Sequence, residues 1–258
     1  MNYIDAHIHL DLYEKKQQEE IIGSLENSDG FSGLIAVSMN LASSEQNLAL
    51  SRVNPAVHPA FGWHPEQALP GGSEHDELLD WIRQNADSMT AVGEVGLPYY
   101  LNKESTLDYK PYLVLLEDFI LLAKELDKPL VLHAVYEDAG LVCGLLDQHH
   151  YHNAHFHWFK GNSSIVRKLA DRGCYISFTP DILYEPEIRQ LAACYPLDRI
   201  MAETDGPWPF EGPFSGKCTH PSFIPAVIEE IAKLKKIETA AAAEQIYKNT
   251  TTFYQLIK

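Results

Sequence analysis

The sequence predicts an α/β protein folded as a (β/α)8 TIM barrel, a single domain over residues 1–258 with one extra C-terminal helix. Short apolar runs bounded by turn residues alternate eight times with longer segments of helical period. Several of the short runs are apolar nearly throughout, as parallel strands covered on both faces must be. No Ser/Gly- or Pro-rich linker divides the chain; "LPGGSEHD" and "GPWPFEGPFSGKCTHPS" read as loops within it. A doubly wound open sheet shares these features and stands as the alternative.

In chain order, "NYIDAHIH" (2–9) leads into the helical "EKKQQEEIIGSLENS" (14–28), and "GLIAVSM" (33–39) into "SEQNLALSRV" (44–53). "AVHPAFGWH" (56–64) precedes "SEHDELLDWIRQNA" (73–86), and "MTAVGEVG" (89–96) precedes "YKPYLVLLEDFILLAKELD" (109–127). In that helix Leu113, Leu116, Phe119, Ile120, Ala123 and Leu126 recur at three- and four-residue steps, a stripe for packing on a sheet. "PLVLHAV" (129–135) pairs with "YEDAGLVCGLLDQHH" (136–150), and "NAHFHWF" (153–159) with "SSIVRKLADRG" (163–173). "CYISFTP" (174–180) and "EPEIRQLAACYP" (185–196) come next, then "RIMAETD" (199–205) and "HPSFIPAVIEEIAKLKK" (220–236). Thr219 reads as the N-cap of that last helix, with proline in its first turn. The final segment, "ETAAAAEQIYKNTTTFYQLI" (238–257), is expected to pack outside the barrel.

Composition narrows the function classes. With 45% hydrophobic and 22% charged residues the chain has the make-up of a globular protein with a sizeable core. No run approaches the ~18 apolar residues of a membrane span, and no leader pattern precedes "DAHIH", so a cytoplasmic location is expected. Four cysteines without a C-x-x-C pair argue against a structural zinc site or a disulfide framework. A formal charge of −16 predicts no broad basic track for duplex DNA. It leaves room for a local phosphate site, because bound divalent cations would reverse the field inside a pocket.

The ionisable residues fall in a pattern. His7 and His9 lie at the end of the first run, Glu94 the fourth, His133 the fifth, His157 the sixth and Asp205 the eighth. In a barrel these are C-terminal strand ends, where active sites are built. His7 and His9 share one face by strand alternation, with Asp5 deeper on the same face. A lone histidine in a strand is usually a hydrogen-bonded core residue, and His155 reads that way. Burying four imidazoles and two carboxylates around one axis is costly unless metal coordination repays it. Six candidate ligands exceed one tetrahedral shell, so two adjacent divalent ions are expected, with Glu94 able to bridge them. Their identity stays open among Zn, Mn, Co, Ni and Mg.

"DAHIH", "GWHPEQA", "GEVGL", "PLVLHA", "HWFKG" and "ETDGP", in this order over nearly the whole chain, resemble the TatD family of metal-dependent hydrolases within the amidohydrolase superfamily. The resemblance implies a barrel with divalent metals and deoxyribonuclease activity, of 3'–5' exonuclease type on single-stranded DNA or nucleic-acid ends. It implies that His7, His9 and Asp205 hold one metal, that His133 and His157 hold the other, and that Glu94 bridges. Asp205 would act as general base toward metal-bound hydroxide formation. His64 matches a family position and is expected to contact substrate above the metals. Lys160 is expected to neutralise a phosphate oxygen, and Trp208, with Phe210, to offer a stacking wall for a base. Pro98, Gly206 and Thr219 depart from the family's usual residues in the loops that set specificity, and touch none of the expected ligands.

Two other functions fit the same ligands: hydrolysis of an amide or ester of a small molecule or an aminoacyl-ester, and service as a non-catalytic partner subunit. The expected substrate is a single-stranded DNA or nucleotide-like phosphodiester, with no membrane partner, and a monomer is compatible with the sequence.

Overall fold

In the computed structural model, which describes residues 1–27 and 30–256, the parallel strands follow one another around a nearly closed barrel in sequence order. They are β1 (Tyr3–Ile8), β2 (Phe31–Ala36), β3 (Val57–Phe61), β4 (Ala91–Gly96), β5 (Leu130–His133), β6 (Ala154–Phe156), β7 (Tyr175–Phe178) and β8 (Ile200–Ala202). Backbone bonds from Asp205 N to His7 O and from His9 N to Gly206 O bring the chain beyond β8 against the end of β1. The buried Asp5 carboxylate reinforces this seam, accepting from Thr204 N and the Thr204 hydroxyl. A fold of eight alternating strands and helices is what the sequence pattern predicts.

The helices are α1 (Lys15–Asn27), α2 (Leu41–Val53), α3 (Gly72–Gln84), α4 (Tyr99–Glu104), α5 (Lys110–Glu125), α6 (Tyr136–His149), α7 (Ser163–Asp171), α8 (Pro186–Cys194), α9 (Ile224–Lys235) and α10 (Thr239–Phe253). Their starts have local causes. Asn40 caps α2 by accepting from Ser43 N, and Asn162 caps α7 by accepting from Ser164 N and Ile165 N. The short α4 is not in the sequence reading, since six residues are too few to display a period. None of the described helices is long and apolar enough to cross a membrane. Ser28 and Ile257, which the sequence reading puts at the ends of its first and last helical segments, lie outside the described residues.

Two apolar clusters alternate along the strands. Leu34, Ala36, Phe61, Val92, Leu130, Leu132, Ile176 and Phe178 pack outward with Ile21, Leu48, Leu78, Phe119, Val142 and Ile228 from the helices. Ile35, Val37, Ala60, Ala91, Val131 and Met201 form the other set, and Phe253 and Tyr254 join them. The end of α10 therefore does not stay outside, as the sequence reading had it. It turns in beneath the strands, where the Tyr254 hydroxyl meets His155 Nδ1 at 2.7 Å.

Other expectations are corrected in detail. The strands are shorter than the apolar runs, so His9, His64, His157 and Asp205 stand just beyond β1, β3, β6 and β8. The β1–β2 register shifts between Asp5 and Ile8, yet His7 Nε2 and His9 Nε2 both reach Glu94 Oε2, at 3.1 and 3.2 Å. Thr219 is not an N-cap: its hydroxyl donates to Trp208 O, and the His220 side chain caps the short 3-10 turn Pro221–Phe223 ahead of α9. Of the histidines in "HHYH", readable from the sequence as solvent-exposed, His149 and His152 are partly covered and pair with Glu117 and Asp147 at 2.7 and 2.9 Å.

On β3, His58 fits beside Gly33, where an added Cβ would stand 3.2 Å from its Nε2. Burial lowers His58 from 6.5 to about 4. The folded protein then holds this proton less tightly than the unfolded chain. His58 costs no stability above about pH 6.5, and stability falls as pH drops from there toward 4. Urea unfolding across this window should give a shallower pH dependence for His58→Gln than for the wild type; equal slopes would contradict the assignment.

Candidate metal centre

Every sequence-predicted ligand arrives at the C-terminal end of the barrel. Glu94 lies inside β4, His7 near the end of β1 and His133 at the end of β5, with His9, His157 and Asp205 just past their strands. The strands crowd closely here, since a Cβ at Gly96 would strike His133 O at 1.9 Å. Asp205 holds a left-handed φ of 48°, a conformation costing about 1–3 kcal/mol for a non-glycine residue, which turns its carboxylate toward His7.

Glu94, fully buried, organises the cluster through its two oxygens. Oε2 lies 3.1 Å from His7 Nε2 and 3.2 Å from His9 Nε2. Asp205 Oδ1 lies 3.3 and 3.5 Å from the same two nitrogens. Oε1 lies 2.9 Å from His133 Nδ1 and 2.7 Å from His157 Nε2, which are 3.1 Å apart. One carboxylate thus separates two groups of donor atoms, His7, His9 and Asp205 on one side, His133 and His157 on the other.

These residues fit divalent cations. His7 Nε2, Glu94 Oε2 and Asp205 Oδ1 are buried and without a hydrogen-bond partner, although they face one another. Buried polar atoms seldom go unsatisfied. Ligands held about 2.1 Å from one ion stand about 3.0–3.4 Å from each other, close to the spacing seen. Nitrogen with carboxylate suits a borderline divalent ion.

The electrostatics show the competition such ions face. Burial works against the charged form of Glu94, yet His157, His64 and His7 outweigh it and hold the carboxyl well below its usual range. Burial and His157 oppose protonation of His7, but Glu94 and Asp205 prevail and push it up to about 9. Protons and cations therefore compete for the same lone pairs.

The remaining predicted residues divide. A cavity of about 460 Å3 above the cluster is lined by His64, His133, His157, Asp205 and Trp208, with Tyr100, Trp158, Pro209 and Glu66. His64 Nε2 stands 3.4 Å from Glu94 Oε1, and its Nδ1 accepts from Glu66 N. Burial lowers His64, which keeps it neutral with its hydrogen on Nε2. Lys160 is not brought to this cavity. It sits over the Trp158 ring at 4.4 Å and 3.9 Å from Asp181, lining a neighbouring cavity of about 400 Å3 that Phe210 also lines.

Two acids escaped the sequence reading, the buried Glu203 and the half-buried Glu66. Glu203 accepts from Trp158 N and from Ser177 Oγ, both at 2.6 Å, and lies 3.7 Å from His157 Nδ1. It stands two residues before Asp205 in "ETD", so the alternation that pairs His7 with His9 could have found it. Glu66 lies 3.1 Å from His133 Nε2 and sits in a loop, where no period announces it.

Known proteins resemble this chain over nearly its whole length. The family described as TatD related DNase matches residues 4–255. A metal-dependent hydrolase of Haemophilus influenzae is 40% identical over 254 residues, covering 98% of this chain and 99% of the relative. One from Methanocaldococcus jannaschii is 26% identical, covering 99% and 98%. Among solved structures, a TatD homolog from Escherichia coli superposes with a TM-score of 0.87 at 22% identity, covering 98% of each chain. A TatD family hydrolase from Entamoeba histolytica gives 0.84 at 20%, with the same coverage. At these identities the structural matches speak for the fold alone.

Cation binding should raise the thermal midpoint of chelator-treated protein. At 100 times its Kd, Mn2+ would contribute about 2.7 kcal/mol, about 5–10 °C for a chain of this size. Because His7 must lose its proton, the gain should be larger near pH 8 than near pH 6. Differential scanning calorimetry checks this, and Glu94→Gln should abolish most of the gain.

Proposed function

Because this chain belongs to the family of TatD-related DNases and is a metal-dependent hydrolase, we propose that it cleaves phosphodiester bonds at the ends of single-stranded DNA, as a 3'–5' exonuclease using two divalent cations. The observation that carries this reading is Glu94, set with one oxygen toward His7 and His9 and the other toward His133 and His157. When bound, the two ions lower the pKa of a coordinated water and neutralise charge developing on the scissile group.

The protein's own groups do the rest. His7, His9 and Asp205 would hold one ion and His133 and His157 the other, with Glu94 able to serve both. The Asp205 carboxylate would also take the proton of the attacking water. Neutral His64 offers its Nε2 hydrogen from the cavity wall to a substrate oxygen. Tyr100, Trp158 and Trp208 give the cavity aromatic walls on which one unpaired base can stack. A cavity of about 460 Å3 accommodates a terminal nucleotide and excludes a duplex.

A second reading has its own observation. No lysine or arginine is among the residues lining this cavity, and Lys160 is committed to Asp181 and Trp158. Only the ions would then anchor a phosphate, whereas a carbonyl ester or amide needs no such counter-charge.

Chelated protein reloaded with Mg2+, Mn2+, Co2+ or Zn2+ should shorten end-labelled single-stranded DNA from the 3' end. Asp205→Asn should lower kcat by about 10^2 to 10^4-fold. If no metal supports cleavage while carboxylic esters or amides turn over, the nuclease reading falls and the second takes its place.

A further inference from the structure

Glu66 makes more contacts at the cavity wall than a solvated loop carboxylate needs. Its side chain is only 13% exposed. Oε1 accepts from Tyr100 N and Oε2 from Leu101 N, each at 2.8 Å, which ties the loop after β3 to the first turn of α4. Oε1 also lies 3.1 Å from His133 Nε2. The backbone N–H of the same residue donates to His64 Nδ1 at 3.1 Å. The loop itself is pinned, since Gln67 Nε2 donates to His64 O and Met39 O.

A carboxylate can only accept hydrogen bonds, so His133 must present a hydrogen on Nε2. Nδ1 faces Glu94 Oε1 and His157 Nε2 at 2.9 and 3.1 Å; with no ion bound it too can carry a hydrogen toward Glu94, and a bound cation would take that lone pair. The Glu66 backbone imposes the opposite arrangement on His64, whose Nδ1 accepts and whose hydrogen goes to Nε2. One residue thereby fixes a hydrogen on His133 Nε2 and an accepting Nδ1 on His64, whose Nε2 stands 3.4 Å from Glu94 Oε1. Carboxylates behind ligand histidines fix ring orientation and tautomer, and their loss weakens metal binding.

We propose that Glu66 is a positioning residue of the metal centre. It keeps a hydrogen on His133 Nε2, so that Nδ1 is the nitrogen left to an ion, and couples α4, whose Tyr100 lines the cavity, to occupancy of the ion beside His133. This rests on the reading of His133 as a ligand.

The test titrates chelator-treated full-length protein with Mn2+, following free Mn2+ by electron paramagnetic resonance, and reads the His133 tautomer from imidazole 15N shifts in the metal-free protein. In Glu66→Ala one of two Mn2+ equivalents should bind about 10- to 100-fold more weakly, the other should stay within about twofold, and the His133 Nε2 signal should move toward that of an unprotonated nitrogen. Glu66→Gln, which keeps an acceptor for His133, should recover much of the lost affinity. A general loosening of the fold would instead weaken both equivalents together. Equal weakening of both, or unchanged affinity with an unchanged tautomer, would overturn the proposal. His133→Ala separates the two levels: if it binds Mn2+ as the wild type does, the reading of the metal centre itself is wrong.

Discussion

A carboxylate with no exposure to solvent sits among five imidazoles, and the upper half of the barrel is arranged around it. Glu94 is within 3.5 Å of nitrogens from His7, His9, His64, His133 and His157. Moving an isolated carboxylate into a protein interior costs several kcal/mol even after relaxation, so positive charge must accompany it. Protons on the surrounding rings can supply that charge, as the raised His7 and His157 show, and so can divalent cations. The rings cannot all be protonated comfortably, because His7 and His157 stack face to face with centroids 3.8 Å apart. Divalent cations could take the place of those protons on the nitrogens that face Glu94.

Below the cluster a line of polar groups is set among the apolar side chains of Ile35, Val131 and Met201. Ser177 Oγ donates to Glu203 and accepts from His155 Nε2, and His155 Nδ1 in turn accepts from the Tyr254 hydroxyl. Burial holds His155 well below its ordinary value, which keeps the ring neutral and suits that direction of donation. The line runs from beside His157 to the residue that follows α10. The last helix therefore closes the barrel and also terminates the hydrogen bonds that support the metal end.

Much of this was legible in the amino-acid order. The eight alternations named the fold, because each strand of a parallel barrel is apolar on both faces and each crossover helix carries one apolar stripe. The candidate ligands were legible because they terminate such strands, and position along a strand fixes height in the barrel. What stayed hidden has physical causes. Glu66 meets His133 across 67 positions of sequence from within a loop. Lys160 looked free beside a strand end, but its partner Asp181 arrives from another loop. The inward turn after α10 depends on a packing partner, His155, almost a hundred residues upstream. The family pattern named the ligands, whereas the cavity walls, from Tyr100 to Trp208, come from the loops in which this sequence departs from it.

The central claim is that Glu94 divides two cation sites. A crystal grown with Mn2+ and measured at the manganese absorption edge tests it most directly. The account predicts two anomalous peaks flanking the Glu94 carboxylate, one among His7, His9 and Asp205 and one between His133 and His157. A single peak away from Glu94, or none at saturating Mn2+, would contradict it.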